Sequence, residues 1–302
     1  MSKTNIGYVD YSCNPYLWRC QKRSPGCANC YMMALARRYG QDPTGPFGTR
    51  FDKAEAELAK MPPGSTVFLN DMSDTYLEAA RDADVMHVHE LPVNFPHLYF
   101  MIVTKRPERA YYMRHRLSWP ENLWLVVSVE NEDYLWRIDY ALLTPAAHVG
   151  VSAEPLLGSL KWGLFSYLFR EKFQSDPAFL AMSDRQKMQA TMSRETLNRY
   201  HIGRRVRGIE WVITGGESGA TRRRFNAQWV QEIVEMISLY SQHVCLFHKQ
   251  GGARSPGQDR VLDGVTWNEI PTAFGGAGPT GPTPVPLVEP VSAGGVTQLA
   301  LL

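Results

Sequence analysis

Six short apolar runs recur along this 302-residue chain, and each one closes in polar residues. They are TVFLND (66–71), LYFMIVTKR (98–106), LWLVVSVEN (123–131), HVGVSAEP (148–155), IEWVITGGESG (209–219) and HVCLFHKQGG (243–252). Runs of this length and composition read as buried strands. Between most of them lie stretches with helical spacing, such as DYLWRIDYALL (133–143) and NAQWVQEIVEMISLY (226–240). Strands that alternate with helices require right-handed crossovers and a parallel sheet. A strand over 6–11 brings the number to seven, which suits a parallel βα barrel, complete or partial, better than a five-stranded open sheet. The expected class is α/β.

In such a fold the carboxyl ends of the strands share one mouth. The polar residues that close the runs are therefore expected to gather there: Asn70, Asp71, Ser73 and Asp74; Thr104, Lys105 and Arg106; Ser128, Glu130 and Asn131; Ser152 and Glu154; Glu217 and Ser218; His248, Lys249 and Gln250. Any one of them reads equally well as a helix cap or turn residue. Six strands ending alike are harder to explain that way.

A second feature precedes the strands. CQKRSPGCANCY (20–31) places Cys20, Cys27 and Cys30 around Ser24-Pro25-Gly26, a turn signal that folds the loop back on itself. Three readings are open. The thiols are reduced, buried packing residues. With Cys13 as a fourth ligand they close a structural zinc site. Or three thiolates hold an iron–sulfur cluster and leave one iron free for a small molecule. The chain has five cysteines, few and clustered, which suits a reducing compartment and metal chemistry over disulfides. Its start, MSKTNIGYVDYS, lacks an apolar signal core, and no run approaches a membrane span, so a cytoplasmic protein is expected.

The net charge of +2 rules out a global basic field. Local runs remain at Arg204, Arg205, Arg207 and at Arg222, Arg223, Arg224, candidates for phosphate contact or plain solvated faces. After the Cys loop, YMMALARRYG (31–40) reads as a helix stopped by Gly40, and DKAEAELAK (52–60) as another, with a Gly/Pro-rich loop over 42–48 between them. The expected organisation is a barrel domain over 1–274, with a helical insertion at about 161–207, and a Gly/Pro-rich flexible tail over 275–302.

With these motifs in hand, the chain resembles the radical S-adenosylmethionine (SAM) enzymes. Within them it resembles a phage-associated branch known only as a domain of unknown function. The stretches that carry the resemblance are CNPYLWRCQKRSPGCANCY, FLNDMSD, VTKRPER, VSVEN, SAEPLLG, GGESG, LFHKQGG and VLDGVTWNEIP, in order from Cys13 to Pro271. The best-known spacing of that superfamily puts three and then two residues between the cysteines, with an aromatic before the last. Here the gaps are six and two, and Tyr31 follows Cys30, a spacing the resembled branch shares.

The resemblance implies a radical-SAM-like TIM-type barrel, a 4Fe-4S cluster on Cys20, Cys27 and Cys30, and SAM on the open iron. Cleavage of SAM would need an external one-electron donor of flavodoxin or ferredoxin type. By the same analogy Asp71 and Asp74 accept from the SAM ammonium, Lys105 or Arg106 meets its carboxylate, and Ser128, Glu130 and Asn131 meet the ribose. Gly215 and Gly216 let the backbone approach a ligand, and Glu217 faces the sulfonium, ribose or substrate. Glu154, His248 and Lys249 are left for substrate contact. The implied substrate is a nucleobase, such as an amino-acid-modified pyrimidine (thymine) rearranged in phage DNA by an isomerase. A base-repair lyase, a peptide or a metabolite substrate, and a non-catalytic zinc-stabilised nucleic-acid-binding protein are the alternatives.

Overall fold

The computed structural model describes residues 2–168, 208–241 and 243–285. Eight strands form one sheet in chain order: β1 (Ser2–Lys3), β2 (Tyr11–Cys13), β3 (Thr66–Leu69), β4 (Tyr99–Thr104), β5 (Leu123–Ser128), β6 (His148–Ala153), β7 (Trp211–Gly215) and β8 (Cys245–Gln250). β1 is antiparallel to β2, and the seven strands from β2 to β8 are parallel. Strands that each lie beside their chain neighbour, with no reversal of order, belong to a barrel winding and not to a doubly wound sheet. The sheet is a curled half-barrel with helices, of the α/β class expected.

The helices are α1 (Tyr31–Arg38), α2 (Phe51–Leu58), α3 (Asp82–Asn94), α4 (Pro107–Met113), α5 (Trp136–Leu142), α6 (Lys161–Leu168) and α7 (Ala227–Tyr240). Strand periodicity sorts the core into two layers. Leu123, Leu125 and Val127 of β5 share a cluster with helical residues such as Ile138, Val230 and Ile233. Trp124 and Val126, the alternate positions, face a second cluster with Trp211, Phe247, Phe274 and Tyr8. The helices thus cover the outer face, and an aromatic plug fills the inner one. Its rings meet edge to face: Tyr8 lies 5.6 Å from Trp211 and 5.2 Å from Phe247, centroid to centroid. The indole N–H of Trp211 donates to Glu269 O at 3.1 Å, so the plug leaves that group satisfied.

One local outcome differs from the sequence reading. The first parallel strand lies at Tyr11–Cys13 instead of 6–11, because the chain turns before it, with Val9 N–H donating to Ile6 O at 3.2 Å. That turn delivers Tyr8 and Val9 to the inner core. From Gly275 to Val285 the chain lies against the small sheet. The N–H of Gly281 donates to Glu269 Oε1 at 2.6 Å, and a strand at Thr283–Pro284 joins the small sheet made by Val261–Leu262 and Val265–Thr266. Residues 267–269 bond to the outer edge of β8, through His248 N–H to Trp267 O and Glu269 N–H to Leu246 O, so that edge is not left bare. Most of the expected insertion, from 169 to 207 with its arginine run, and the tail from 286 lie outside the described residues. Among the described residues no helix is long and apolar enough to cross a membrane.

Candidate functional site

The Ser-Pro-Gly signal is realised as a 3-10 turn over Pro25–Cys27, and Cys30 caps the start of α1. The chain between Cys20 and Cys30 therefore doubles back and leaves all three thiols half-buried and unpaired. Burial pushes the Cys20 thiol up to about 12, with Asp74 adding to it and Arg106 opposing, and the thiols of Cys30 and Cys27 raise it further. Burial also raises Cys30, against the pull of the Met32 amide and of Lys105. The thiols are thus close enough to feel one another's charge. Cys20 and Cys30 stay protonated until something binds them as thiolates and releases those protons. Among the described residues no three His, Cys, Asp or Glu side chains close on a single point. Cys13 stands apart: it is fully buried in the outer core with its sulfur 4.0 Å from Ala54 O, and Cys245 lies in the inner core.

The loop sits over the carboxyl ends of the parallel strands, bonded to residues from several of them. Ser24 Oγ donates to Glu130 Oε1 just past β5. A Cβ on Gly26 would lie 2.5 Å from that same oxygen, so only glycine fits there. Asn29 Nδ2 donates to Glu217 Oε2 past β7 at 3.0 Å, and Arg223 Nη2 donates to Pro25 O at 2.9 Å. Arg106 Nη2 donates to Gln21 O at 2.9 Å. Arg23 pairs with Glu108 and, at 3.5 Å, with Glu78.

Several of the strand-end residues expected at the mouth are engaged with the protein itself. Asp74 accepts from Tyr76 N, Thr104 Oγ1, Lys105 N and Arg106 Nη1, at 2.8 to 3.3 Å. Arg106 also binds Glu78 at 2.7 Å, so neither member of this buried pair has a polar group to spare. Glu130 is fully buried against an equally buried Arg137, Oε2 to Nη1 2.8 Å. Asn131 caps the turn that follows it by accepting from Asp133 N. Ser128 is buried, and its carbonyl accepts from Arg137. The space a side chain would need at Gly215 is filled by the Glu154 carboxylate, and at Gly216 by Phe225 and the Gly251 carbonyl. His248 is fully buried with Nδ1 3.0 Å from Thr214 Oγ1, and burial lowers it to about 4, so it is neutral. Burial pushes the Glu217 carboxyl up, but Arg223 and Asn29 more than offset this and hold it below the usual range.

A smaller group faces the mouth with capacity left. Asp71 accepts from Asn14 Nδ2 at 2.6 Å, and burial raises its carboxyl despite that bond. Lys105 Nζ lies 3.7 Å from Glu130 Oε1. Glu154 pairs with Lys249 at 3.2 Å and accepts from Tyr8 Oη at 3.4 Å. Tyr31 donates its phenol to Asp71 O at 2.9 Å while keeping 48% of its surface open. Desolvation of its hydroxyl end, then Asp71, Cys30 and Glu154, raises its pKa well above the ordinary value, so the phenol stays protonated. The structure brings Cys30, Tyr31, Asp71, Glu154 and Tyr8 into one electrostatic neighbourhood.

Sequence reasoning did not pick out Tyr8, Asn29 or Arg137, and took Ser24 only as part of a turn. Arg137 carried a signal: it lies at helical spacing from Tyr134 and Ala141, so a cation on the core-facing side of α5 had to have a buried partner. Tyr8, Ser24 and Asn29 act through partners remote in sequence.

None of the curated proteins matches the chain. Two solved structures resemble it in fold. A mutant of spore photoproduct lyase gives 13% identity and a TM-score of 0.45, and spore photoproduct lyase complexed with dinucleoside spore photoproduct gives 12% and 0.42. Each alignment covers 80% of this chain, which spans 64% of the length of those proteins. Residues 3–271 match the family described as "Protein of unknown function (DUF5131)", and the chain belongs to that family.

Proposed function

We infer that this protein is a radical SAM enzyme in which Cys20, Cys27 and Cys30 hold a 4Fe-4S cluster. The observation that carries the reading is the donor set: three half-buried thiols within one stretch of eleven residues, on a loop clasped over the strand ends, with both other cysteines committed to the core. A cluster suits this set because each thiolate takes a different iron, whereas a tetrahedral zinc asks for four ligands at one point. When bound, such a cluster supplies one-electron cleavage of SAM and hydrogen abstraction from a substrate.

The residues of this chain bind, orient and exclude water. Asp71 offers an acceptor for an ammonium, and Lys105, close enough to act on the Cys30 thiol, a cation for a carboxylate. Glu154 and Lys249 form a mixed-charge pair for substrate contact, floored by Tyr8 and the aromatic plug, which keeps the interior dry. The internal bonds of Asp74, Arg106, Glu130, Asn131 and Glu217 support placing them behind the site instead of against a ligand.

The substrate we carry forward is a modified pyrimidine base in DNA, rearranged by the enzyme, with base repair by a lyase as the second reaction. This rests on the sequence resemblance. The zinc-protein reading is disfavoured by Cys13, which points into the outer core.

The test is anaerobic purification. A brown protein with iron, sulfide and a broad absorption near about 400 nm, releasing 5′-deoxyadenosine when reduced with SAM, is expected. Colourless protein carrying stoichiometric zinc overturns the reading.

A further inference from the structure

We propose that Glu130 and Glu217 are positioning residues, a two-sided clasp that sets the Cys loop in place before any metal arrives. The proposal rests on reading that loop as the ligand loop. By itself the loop is weakly held: its internal backbone bonds are Cys27 N–H to Ser24 O, Ala28 N–H to Pro25 O and Cys30 N–H to Cys27 O. A loop left to find its shape on binding would have to lose its conformational freedom at that moment. The clasp removes that freedom in advance.

On one side, Glu130 is fixed from behind. Arg137 Nη1 ties Oε2 at 2.8 Å and Ser128 O at 2.8 Å, and its guanidinium lies 4.3 Å from the centre of the Tyr134 ring. This leaves Oε1 aimed at the loop, where it takes the Ser24 hydroxyl and packs on Gly26. On the other side, Glu217 Oε2 accepts from Asn29 Nδ2 at 3.0 Å, Arg223 N at 2.7 Å and Arg223 Nε at 3.1 Å. Arg223 then reaches over to Pro25 O. The 3-10 turn at Pro25–Cys27 is thus gripped between the ends of β5 and β7. Both grips take hydroxyl, amide and backbone groups of the loop, and neither carboxylate is given to a thiol.

Hydrogen–deuterium exchange of the full chain, read on a peptide covering 20–31, tests this without a cofactor. Glu130→Gln is a poor first choice, since it leaves Arg137 buried without a counter-charge and can fail to fold. Gly26→Ala pushes the loop off Glu130, and Arg223→Met together with Asn29→Ala removes the second grip; both keep the Glu130–Arg137 pair. Exchange in the loop is expected to rise about tenfold or more in each, with β4 to β6 unchanged. In iron- and sulfide-reconstituted protein the electron paramagnetic resonance lines of the reduced cluster should shift in both. Loop exchange that stays within about twofold of the wild type in both folded variants overturns the proposal. If the loop loosens as expected but the wild type takes up no iron, the clasp stands and the cluster reading fails.

Discussion

Glu154 and Lys249 meet across the mouth of the half-barrel, Oε1 to Nζ 3.2 Å, one just past β6 and the other in β8, two strands away. The pair is partly open, with 12% and 21% of the two side chains exposed, and Tyr8 supports it from below. Other carboxylates at this mouth, such as Asp74 and Glu130, are spent on fully internal bonds. An ion pair left partly open at a strand end stands where a substrate could reach it.

Lys249→Met is therefore expected to lower product formation by about 100-fold with iron content unchanged. It should cost only about 1–2 kcal/mol in folding, from the half-buried carboxylate left behind. Product assay beside thermal unfolding separates the two effects. Turnover equal to the wild type would show that the pair only braces β6 against β8.

Cysteine replacement gives a sharper contrast. Cys20→Ala, Cys27→Ala and Cys30→Ala are each expected to abolish bound iron and sulfide. Cys13→Ala and Cys245→Ala should retain them, at about 1–2 kcal/mol of stability for a small cavity in one core or the other. Metal analysis with visible absorption reads the outcome, and loss of all iron in Cys13→Ala contradicts the three-ligand assignment.

Stability should fall as the solution is acidified below neutrality. His89 is buried between Tyr76 Oη and Ser118 O, each 2.8 Å away, and burial lowers it from 6.5 to about 4; His248 behaves alike. The unfolded chain takes up these protons first. The stabilisation is therefore complete above about pH 6.5 and is lost between about 6.5 and 4, on the order of 3 kcal/mol for each histidine. Asp71, raised by burial, works in the opposite sense at the acid end. Urea titrations across this range check the slope, and His89→Gln should remove about half of it.

The arginines past β7 lead to a prediction about DNA. Arg222 donates to Gly252 O at 2.6 Å and to Gly219 O at 3.0 Å, while Arg223 is held by Glu217 and Pro25. Replacing either with Ala is expected to loosen the loops and to leave the salt slope of any DNA binding unchanged. Fluorescence anisotropy at several salt concentrations measures this. A slope that falls by about one contact in each variant would place both guanidiniums on phosphates after all.

Much of the fold was legible because its signals are local. The apolar runs had to be strands and NAQWVQEIVEMISLY a helix, and Asn226 caps that helix as its side chain requires, accepting from Gln228 N at 3.1 Å. The Ser-Pro-Gly turn within the three-cysteine loop is likewise local, so the loop could be singled out without coordinates. The N-terminal strand was misplaced by a few residues because its start depends on a turn and on Tyr8 finding the inner core, and neither has a periodic signature.

By itself, then, the sequence determined the winding of the sheet, the end of it where polar groups collect, and the three thiols on one loop. Tertiary structure alone decided which of those polar groups are free. Ser24 and Glu130 are 106 residues apart, and Asn29 and Glu217 are 188 apart. A carboxylate at a strand end reads the same in sequence whether it waits for a ligand or already holds a hydroxyl from a remote loop. The difference lies in desolvation: once packing removes water from Glu130 and Asp74, their oxygens must take whatever donors the fold supplies, and only the three-dimensional arrangement says what those are.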